Sequence, residues 1–333
     1  MFSTLSLLLG ACTSPSSSLH SAPLYSVGAP ETLPASEAVA AADLDGDGVD
    51  EVLRYSEGRL EWDGGSAELG GVFQRAARGD VDGDGKEEVL IATGMGRTDR
   101  ASPARIWAVG DDGASLLIER AGPRAQVPEL RVVDGKVWAA LFTADNVVQA
   151  GWVQDQELKV EQIGKLALRQ LPSSKGVVVG RVYGDLPKSD GDLTLHGPQG
   201  ESALPSHRGV RSMALGDLDG DGQEELVIGD GWHYAYGTQA QGRVAVLSGA
   251  EWKEIRAIAH FPQDYSAQEI EIHQGRVLVM GTKNVHLLQR DALGWQDLVI
   301  AQTSEGESVA WVQGADGPAV VVSGDPTRLI PLL

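Results

Sequence analysis

The sequence predicts an all-β chain folded as a seven-bladed β-propeller. An acidic motif of nine residues occurs three times, each time directly before a short run of apolar, largely branched residues. Weaker strand–turn–strand patterns fill the intervals and give seven units of about 40 to 50 residues with four short strands each. No segment has a sustained helical periodicity. Because a single blade buries too little apolar surface, the seven units are expected to fold together.

The acidic motif is predicted to bind calcium. Each copy has Asp at positions 1, 3 and 5, Gly at position 6 and Glu at position 9. The carboxylates at these positions are Asp43, Asp45, Asp47 and Glu51 in the first copy, Asp80, Asp82, Asp84 and Glu88 in the second, and Asp217, Asp219, Asp221 and Glu225 in the third. Two such charges about 4 Å apart repel by roughly 4 kcal/mol at an effective dielectric near 20. A Ca²⁺ ion with six to eight oxygen ligands removes this repulsion, so about three sites are expected.

Position 7 is predicted to contribute its backbone carbonyl. It is occupied by three unlike residues: Val49, Lys86 and Gln223. The motif differs from an EF-hand, which has a Glu at position 12 and continues into a helix. Here an Arg or an Ile occupies position 12 and a strand pattern follows. The alternative interpretation is an acidic turn that binds no metal.

The pattern Asp-x-Asp-x-Asp-Gly-x-x-Glu before a strand resembles the calcium loops of FG-GAP/VCBS repeats, the blades of integrin-alpha-type β-propellers. The third copy is the most similar, because Gly229-Asp230-Gly231 and the strand pattern 242–247 follow it. The family usually has Asp at position 9, where this chain has Glu. The resemblance implies a propeller fold with calcium bound in the loops.

Degenerate copies of the repeat complete the predicted ring. They keep two strand patterns around a turn but lack the acids, and they cover 130–141, 175–180, 270–279 and 309–322. Further hairpins are predicted at 106–118 and 285–300. The calcium loops would therefore belong to blades 1, 2 and 5.

The N-terminal region is predicted to be a lipoprotein leader and tether. Leu9-Gly10-Ala11-Cys12 follows a short apolar run and resembles a bacterial lipobox, and Cys12 is the one cysteine of the chain. We therefore expect a signal peptide at 1–11, lipidation of Cys12, a Ser/Pro-rich tether at 12–34 and the propeller at 35–333. No stretch has about 18 consecutive apolar residues, so the lipid would be the membrane attachment. Thr13 after the cysteine favours the outer membrane or cell surface. The alternative is an ordinary flexible N-terminus.

The net charge of the chain excludes some classes of binding partner. A formal net charge of -20 argues against nucleic acid and against direct contact with an anionic bilayer. Three Ca²⁺ ions would still leave the protein acidic.

Four other features of the sequence each have a plain structural interpretation beside a functional one. Arg78-Gly79-Asp80 spells an adhesion tripeptide, but Asp80 is expected to face inward as a metal ligand. Trp232 and the aromatic residues after it form either a stacking platform for a sugar or peptide or part of a loop. The segment 185–192 is acidic without the motif spacing, which favours a hairpin loop over a fourth calcium site. The seven histidines show no metal-ligand spacing.

The sequence predicts a binding protein rather than an enzyme. It has no Gly-x-Ser-x-Gly, no phosphate-binding loop and no His-Glu-x-x-His. The leading interpretation is an exported, calcium-stabilised cell-envelope lipoprotein that binds a protein or glycan on a propeller face or acts as a scaffold. The alternatives are a polysaccharide-acting enzyme with its site in the funnel, which a charged funnel would favour, and a fixed subunit of an envelope complex, which a large exposed apolar patch would favour.

Overall fold

Seven antiparallel four-stranded sheets make up the structure. The computed structural model describes residues 24–96, 101–122, 125–142, 147–165, 168–181, 193–207, 209–231, 241–261, 266–303 and 307–333. In these segments all regular structure is β-strand. Six sheets take their four strands in consecutive order along the chain, as the blades of a propeller do. The predicted all-β, seven-bladed β-propeller is confirmed.

The strands of each blade run from the inner edge of the sheet outward. Blade 1 contains β2 (Ala38–Ala42), β3 (Glu51–Ser56), β4 (Arg59–Trp62) and β5 (Gly65–Glu68); blade 2 contains β6 (Val72–Gly79), β7 (Glu88–Gly94), β8 (Ala104–Gly110) and β9 (Gly113–Arg120); blade 3 contains β10 (Glu129–Val133), β11 (Lys136–Phe142), β12 (Val147–Gln154) and β13 (Glu157–Lys165); blade 4 contains β14 (Leu168–Ser173), β15 (Gly176–Arg181), β16 (Leu193–Gly197) and β17 (Gly200–Ala203). Blade 5 contains β18 (Ser212–Gly216), β19 (Glu225–Asp230), β20 (Arg243–Ser248) and β21 (Glu254–His260); blade 6 contains β22 (Ala267–His273), β23 (Arg276–Gly281), β24 (Asn284–Asp291) and β25 (Gly294–Gln302); blade 7 contains β26 (Val309–Gly314), β27 (Gly317–Val322), β28 (Thr327–Pro331) and, as its outer strand, β1 (Glu31–Leu33).

Blade 7 joins the two ends of the described chain and closes the ring. Strand β1 pairs with β28, with Glu31 opposite Leu329, and an isolated bridge joins Val27 to Leu332. Residues up to 34 were predicted to form a tether, so the structure moves the start of the folded part toward the N-terminus. The physical reason is that β28 would otherwise expose unpaired N–H and C=O groups along its edge.

The hydrophobic core lies between the blades. Seven clusters of buried residues each combine side chains from two adjacent blades, and together they account for every interface around the ring. Trp138 is buried between blades 3 and 4, and Trp311 between blades 6 and 7. Trp107 is half-buried and packs against the cluster between blades 1 and 2. The second strands β7, β19 and β23 are buried along their whole length, which explains their apolar sequences.

The described part of the chain contains no helix that is long and apolar enough to cross a membrane.

Candidate metal centres

The three acidic motifs form loops between the first and second strands of blades 1, 2 and 5. Loop 1 spans residues 43–50, loop 2 spans 80–87 and loop 3 spans 217–224. The structure therefore has the loops on the three blades for which they were predicted. The glycines at positions 4 and 6 have φ between 76° and 91° in every copy. Only glycine adopts this left-handed backbone without strain, which is why both positions are glycine each time.

All three loops share one network of hydrogen bonds from backbone N–H groups to carboxylates. In loop 3 the Asp217 carboxylate accepts from the N–H of Gly220 at 2.6 Å and of Gly222 at 2.9 Å. The Asp at position 3 accepts from the N–H of position 5, and the Asp at position 5 accepts from the N–H of position 7. The Glu225 carboxylate accepts from the N–H of Leu218 at 2.8 Å. The same donor–acceptor pairs recur in loop 1 and loop 2.

Each loop gathers three carboxylates around one point. In every copy, oxygens of the acids at positions 1, 3 and 9 lie within 4.8 Å of one another. The groups are Asp43, Asp45 and Glu51; Asp80, Asp82 and Glu88; and Asp217, Asp219 and Glu225. Three carboxylates at this separation fit the oxygen shell of a hard divalent cation.

Positions 5 and 7 lie outside these groups in the structure. Asp47, Asp84 and Asp221 turn one oxygen toward the N–H of position 7 and do not join the cluster of three. Lys86 at position 7 directs its ammonium group to Asp111 in the turn between β8 and β9. Because the Lys86 side chain points out of its loop, the backbone carbonyl is the ligand that this residue could offer to a cation. That the carbonyls of Val49, Lys86 and Gln223 bind the ion stays a prediction.

The electrostatics of the loops reflect concentrated negative charge. Burial raises the pKa of Glu51, Glu88 and Glu225, and the aspartates of the same loop raise it further. The pKa of Asp217 is lowered, above all by the N–H group of Gly222. A cation between these groups would offset both burial and repulsion for the glutamates.

Loop 1 also connects three blades. The Asp50 carboxylate, of which 5% of the side chain is exposed, accepts from the Gln313 N–H of blade 7 at 2.7 Å and from Arg78 of blade 2 at 3.0 Å. The Asp43 carbonyl accepts from the Glu87 N–H of loop 2 at 3.1 Å. Arg78 is thus engaged with Asp50, which agrees with a structural rather than an adhesive role for the tripeptide 78–80.

Sequence reasoning missed the charged central channel. A cavity of about 370 Å³ lies among the inner strands, and its lining includes Arg75, Arg169, Arg211, Glu269 and Glu271. These residues belong to four blades, and only Glu269 and Glu271 share a strand, β22. No local pattern could have grouped them, because the arginines and the glutamates come from segments that are far apart in the chain.

Several predicted features lie outside the described residues. They are Cys12 with its leader, the platform around Trp232, and the acidic segment 185–192.

Comparison with known proteins shows that one blade is similar to a known repeat family. Residues 209–247, which contain loop 3 and its flanking strands, match the model of the FG-GAP repeat. This match confirms the resemblance where the third copy of the motif carries it. No curated protein matches the chain.

Solved structures confirm the fold at low sequence identity. Two crystal structures of the extracellular domain of BT4673 from B. thetaiotaomicron, described in one as a one component system and in the other as a hybrid two component system, superpose with TM-scores of 0.54 and 0.53 at 12% and 11% identity. The alignments cover 94% and 91% of this chain but 40% of each of the others, so the chain spans about two fifths of their length. The chain is therefore a seven-bladed β-propeller whose fifth blade is similar to the FG-GAP repeat.

Proposed function

We propose that this protein is an exported binding or scaffold module of the bacterial cell envelope, stabilised by about three Ca²⁺ ions, with a protein or glycan partner on a propeller face. The observation that carries the proposal is the threefold recurrence of one loop, with the same hydrogen bonds and the same three converging carboxylates. FG-GAP similarity and the extracellular origin of the similar structures support export and binding.

Calcium has a structural role in this proposal. The acids at positions 1, 3 and 9 would hold the ion, with positions 5 and 7 completing its shell, and the ion would supply charge neutralisation. Each loop leads directly into the second strand of its blade, so fixing the loop also fixes where that buried strand begins. Sites with dissociation constants of about 10⁻⁴–10⁻³ M are typical of extracellular modules and are filled in that environment.

The lipid anchor belongs to the same proposal. Lipidation of Cys12 would hold the propeller at the outer membrane or cell surface, with the Ser/Pro-rich segment as spacer. Attachment through a lipid is compatible with an acidic domain, which an anionic bilayer would otherwise repel.

An enzymatic function is the second candidate. The channel holds Glu269 and Glu271 beside several arginines, and paired carboxylates are the groups that cleave glycosidic bonds. Polysaccharide cleavage that is abolished in Glu271→Gln and in Glu269→Gln would favour this candidate over a binding module.

The calcium proposal is tested by thermal unfolding of the protein in saturating calcium and in EDTA. We expect calcium to raise the melting temperature, and Asp219→Ala to lose part of that rise. Asp316→Ala is the matched control, because Asp316 is exposed in the first turn of blade 7, which has no acidic loop. A melting temperature that is the same in calcium and in EDTA would overturn the proposal.

A further inference from the structure

Charged residues occupy one level of the central channel. Four of the inner strands carry a charge four residues before their last residue: Arg75 in β6, Glu129 in β10, Arg169 in β14 and Glu269 in β22. We call these four residues the charged ring. Arg75, Arg169 and Glu269 line the cavity of about 370 Å³, and all four line the constriction next to it.

Backbone carbonyls hold the two arginines of the charged ring in place. The Pro128 carbonyl accepts from Arg75 Nε at 3.2 Å and from Arg169 Nη1 at 3.0 Å. Arg75 also donates to the Gln74 carbonyl at 2.9 Å, and Arg169 to the Arg211 carbonyl at 2.8 Å. Each guanidinium has five N–H donors, so part of each fork remains for a ligand. Within the described residues neither arginine has a carboxylate partner within 4.0 Å.

Positive charge therefore accumulates on this side of the channel. Burial and the nearby charge of Arg75, against the opposing effect of Glu129, together lower the pKa of Arg169 to about 10. Glu129 is itself engaged, with its carboxylate 3.0 Å from Arg131. Neutral carbonyls fix the two arginines in position without neutralising them, and such a pair of guanidinium groups attracts an anion.

Glu269 supplies the opposite charge across the same cavity. It is half-buried and, among the residues that the structure describes, forms no ion pair. Opposite charges that line one cavity but remain unpaired would each gain from a ligand that reaches both. The cavity has the size of sites that hold small molecules, about 300–1,000 Å³.

We propose that the central channel binds a small molecule with a carboxylate at one end and an ammonium or hydroxyl donor at the other. Arg75 and Arg169 would hold the carboxylate through their planar forks, and Glu269 would accept from the donor. Glu269 would also repel a polyanion. Amino acids and sugar acids share this chemistry. Arg75 lies five residues from Asp80 along the inner strand, about 16 Å at the usual strand rise. None of the three proposed binding residues belongs to an acidic loop, so the proposal goes beyond the proposed function and does not depend on calcium.

Calorimetric titration of the full chain in calcium tests this proposal. The probes are sodium glucuronate and L-serine, with propionate as a carboxylate without donors, glucose as donors without a carboxylate, and inorganic phosphate as a different anion. We expect saturable binding of glucuronate or serine, at least about tenfold tighter than of any other probe. Glucuronate alone would indicate a sugar acid, and serine alone an amino acid.

Variants locate the binding site. Arg169→Gln and Arg75→Gln should each weaken binding by about tenfold or more, since each removes charge-assisted hydrogen bonds. Glu269→Gln should reduce the preference for glucuronate or serine over propionate. Arg59→Gln is the control, because its guanidinium is exposed on β4. Melting curves of each variant test whether it is folded. If Arg169→Gln does not fold, Arg75→Gln alone tests the role of the arginines. Absence of carboxylate binding, equal or tighter binding of phosphate, or unchanged affinity in a folded arginine variant would overturn the proposal.

Discussion

Blades 1, 2 and 5 differ from blades 3, 4, 6 and 7 in the connection between their first two strands. In the first group this connection is an acidic loop of eight residues, and in the second it is a turn of two residues. The turns are Asp134–Gly135, Ser174–Lys175, Gln274–Gly275 and Ala315–Asp316. The strands on either side are alike in both groups, so the fold does not require the long loop. What the loop adds is a cluster of carboxylates, which costs energy unless a cation is bound.

The two kinds of connection also pack against each other. A Cβ on Gly135, in the turn of blade 3, would lie 3.1 Å from the Asp80 carbonyl of loop 2. A Cβ on Gly275, in the turn of blade 6, would lie 3.2 Å from the Leu218 carbonyl of loop 3. Both glycines have a positive φ. A short turn with glycine thus makes room for the acidic loop of the preceding blade.

The largest effect is expected where the loop meets its strand. Glu225→Ala should reduce the free energy of unfolding in calcium by about 3 kcal/mol, because it removes a metal ligand and leaves the Leu218 N–H without its acceptor. In EDTA the loss of unfolding free energy should be smaller, because no ion is bound that Glu225 could hold. The substitution then also removes a buried negative charge that no cation neutralises. Urea unfolding in both conditions measures the difference. Glu224→Ala is the control, because Glu224 is exposed. An equal loss in calcium and EDTA would mean that Glu225 does not bind metal.

The second-largest effect is expected at Asp50, whose contacts stabilise loop 1 independently of its metal site. Asp50→Ala should cost about 2 kcal/mol in calcium and in EDTA alike, because the partly buried N–H of Gln313 and the guanidinium of Arg78 both lose their acceptor. Glu87→Ala, at the same motif position in loop 2, should cost less than half as much, since 39% of the Glu87 side chain is exposed. Urea unfolding of both variants tests this. A calcium-dependent loss in Asp50→Ala would contradict this independence from the metal site.

Glu271 lies in blade 6, which has no acidic loop, and its effect on stability should depend on pH and not on calcium. Burial, together with the nearby charge of Glu269, raises the pKa of Glu271 to about 7. A folded-state pKa above the unfolded value contributes stability that is fully present below about pH 4.5 and is lost as the pH rises through about 7. Glu271→Gln should therefore stabilise the protein at pH 8, by about 1 kcal/mol given that the group is half-buried, and have little effect at pH 4.5. Denaturant unfolding at both pH values measures this; a destabilised variant at pH 8 would show that the ionised form is favoured.

The smallest effect is expected at position 7. Lys86→Met removes an exposed ion pair with Asp111 but keeps the backbone carbonyl. The calcium-dependent rise in melting temperature should therefore match that of the unaltered protein. Val49→Met is the control with no charge change. A lost calcium response in Lys86→Met alone would mean that the side chain, not the carbonyl, supports the site.

Much of the fold could be predicted because the repeat leaves local traces. Asp134-Gly135 and the strands around it keep the hairpin of the acidic copies, so blade 3 was identifiable without any metal ligands. Strand β1 was missed because Glu31–Leu33 is three residues long and mainly exposed, and only pairing with a strand about 300 residues away makes it part of a sheet.

The functional sites also divide into those that a local sequence pattern reveals and those that only the folded chain brings together. The acids at positions 1, 3 and 9 were predictable because one tight loop brings them together. The charged ring was not predictable, because Arg75 and Glu269 line one cavity only when seven blades surround one channel. The contact of Asp50 with Gln313 was hidden for the same reason, as it spans 263 residues.

Calcium stoichiometry tests the central claim most directly. Isothermal titration of the metal-free protein should give three Ca²⁺ ions per chain, because three loops present the same cluster of carboxylates. Asp219→Ala should bind two, and Asp316→Ala should bind three. If the unaltered protein binds no calcium, or if Asp219→Ala still binds as many ions as the unaltered protein, the loops are acidic turns and the account of them as metal centres is wrong.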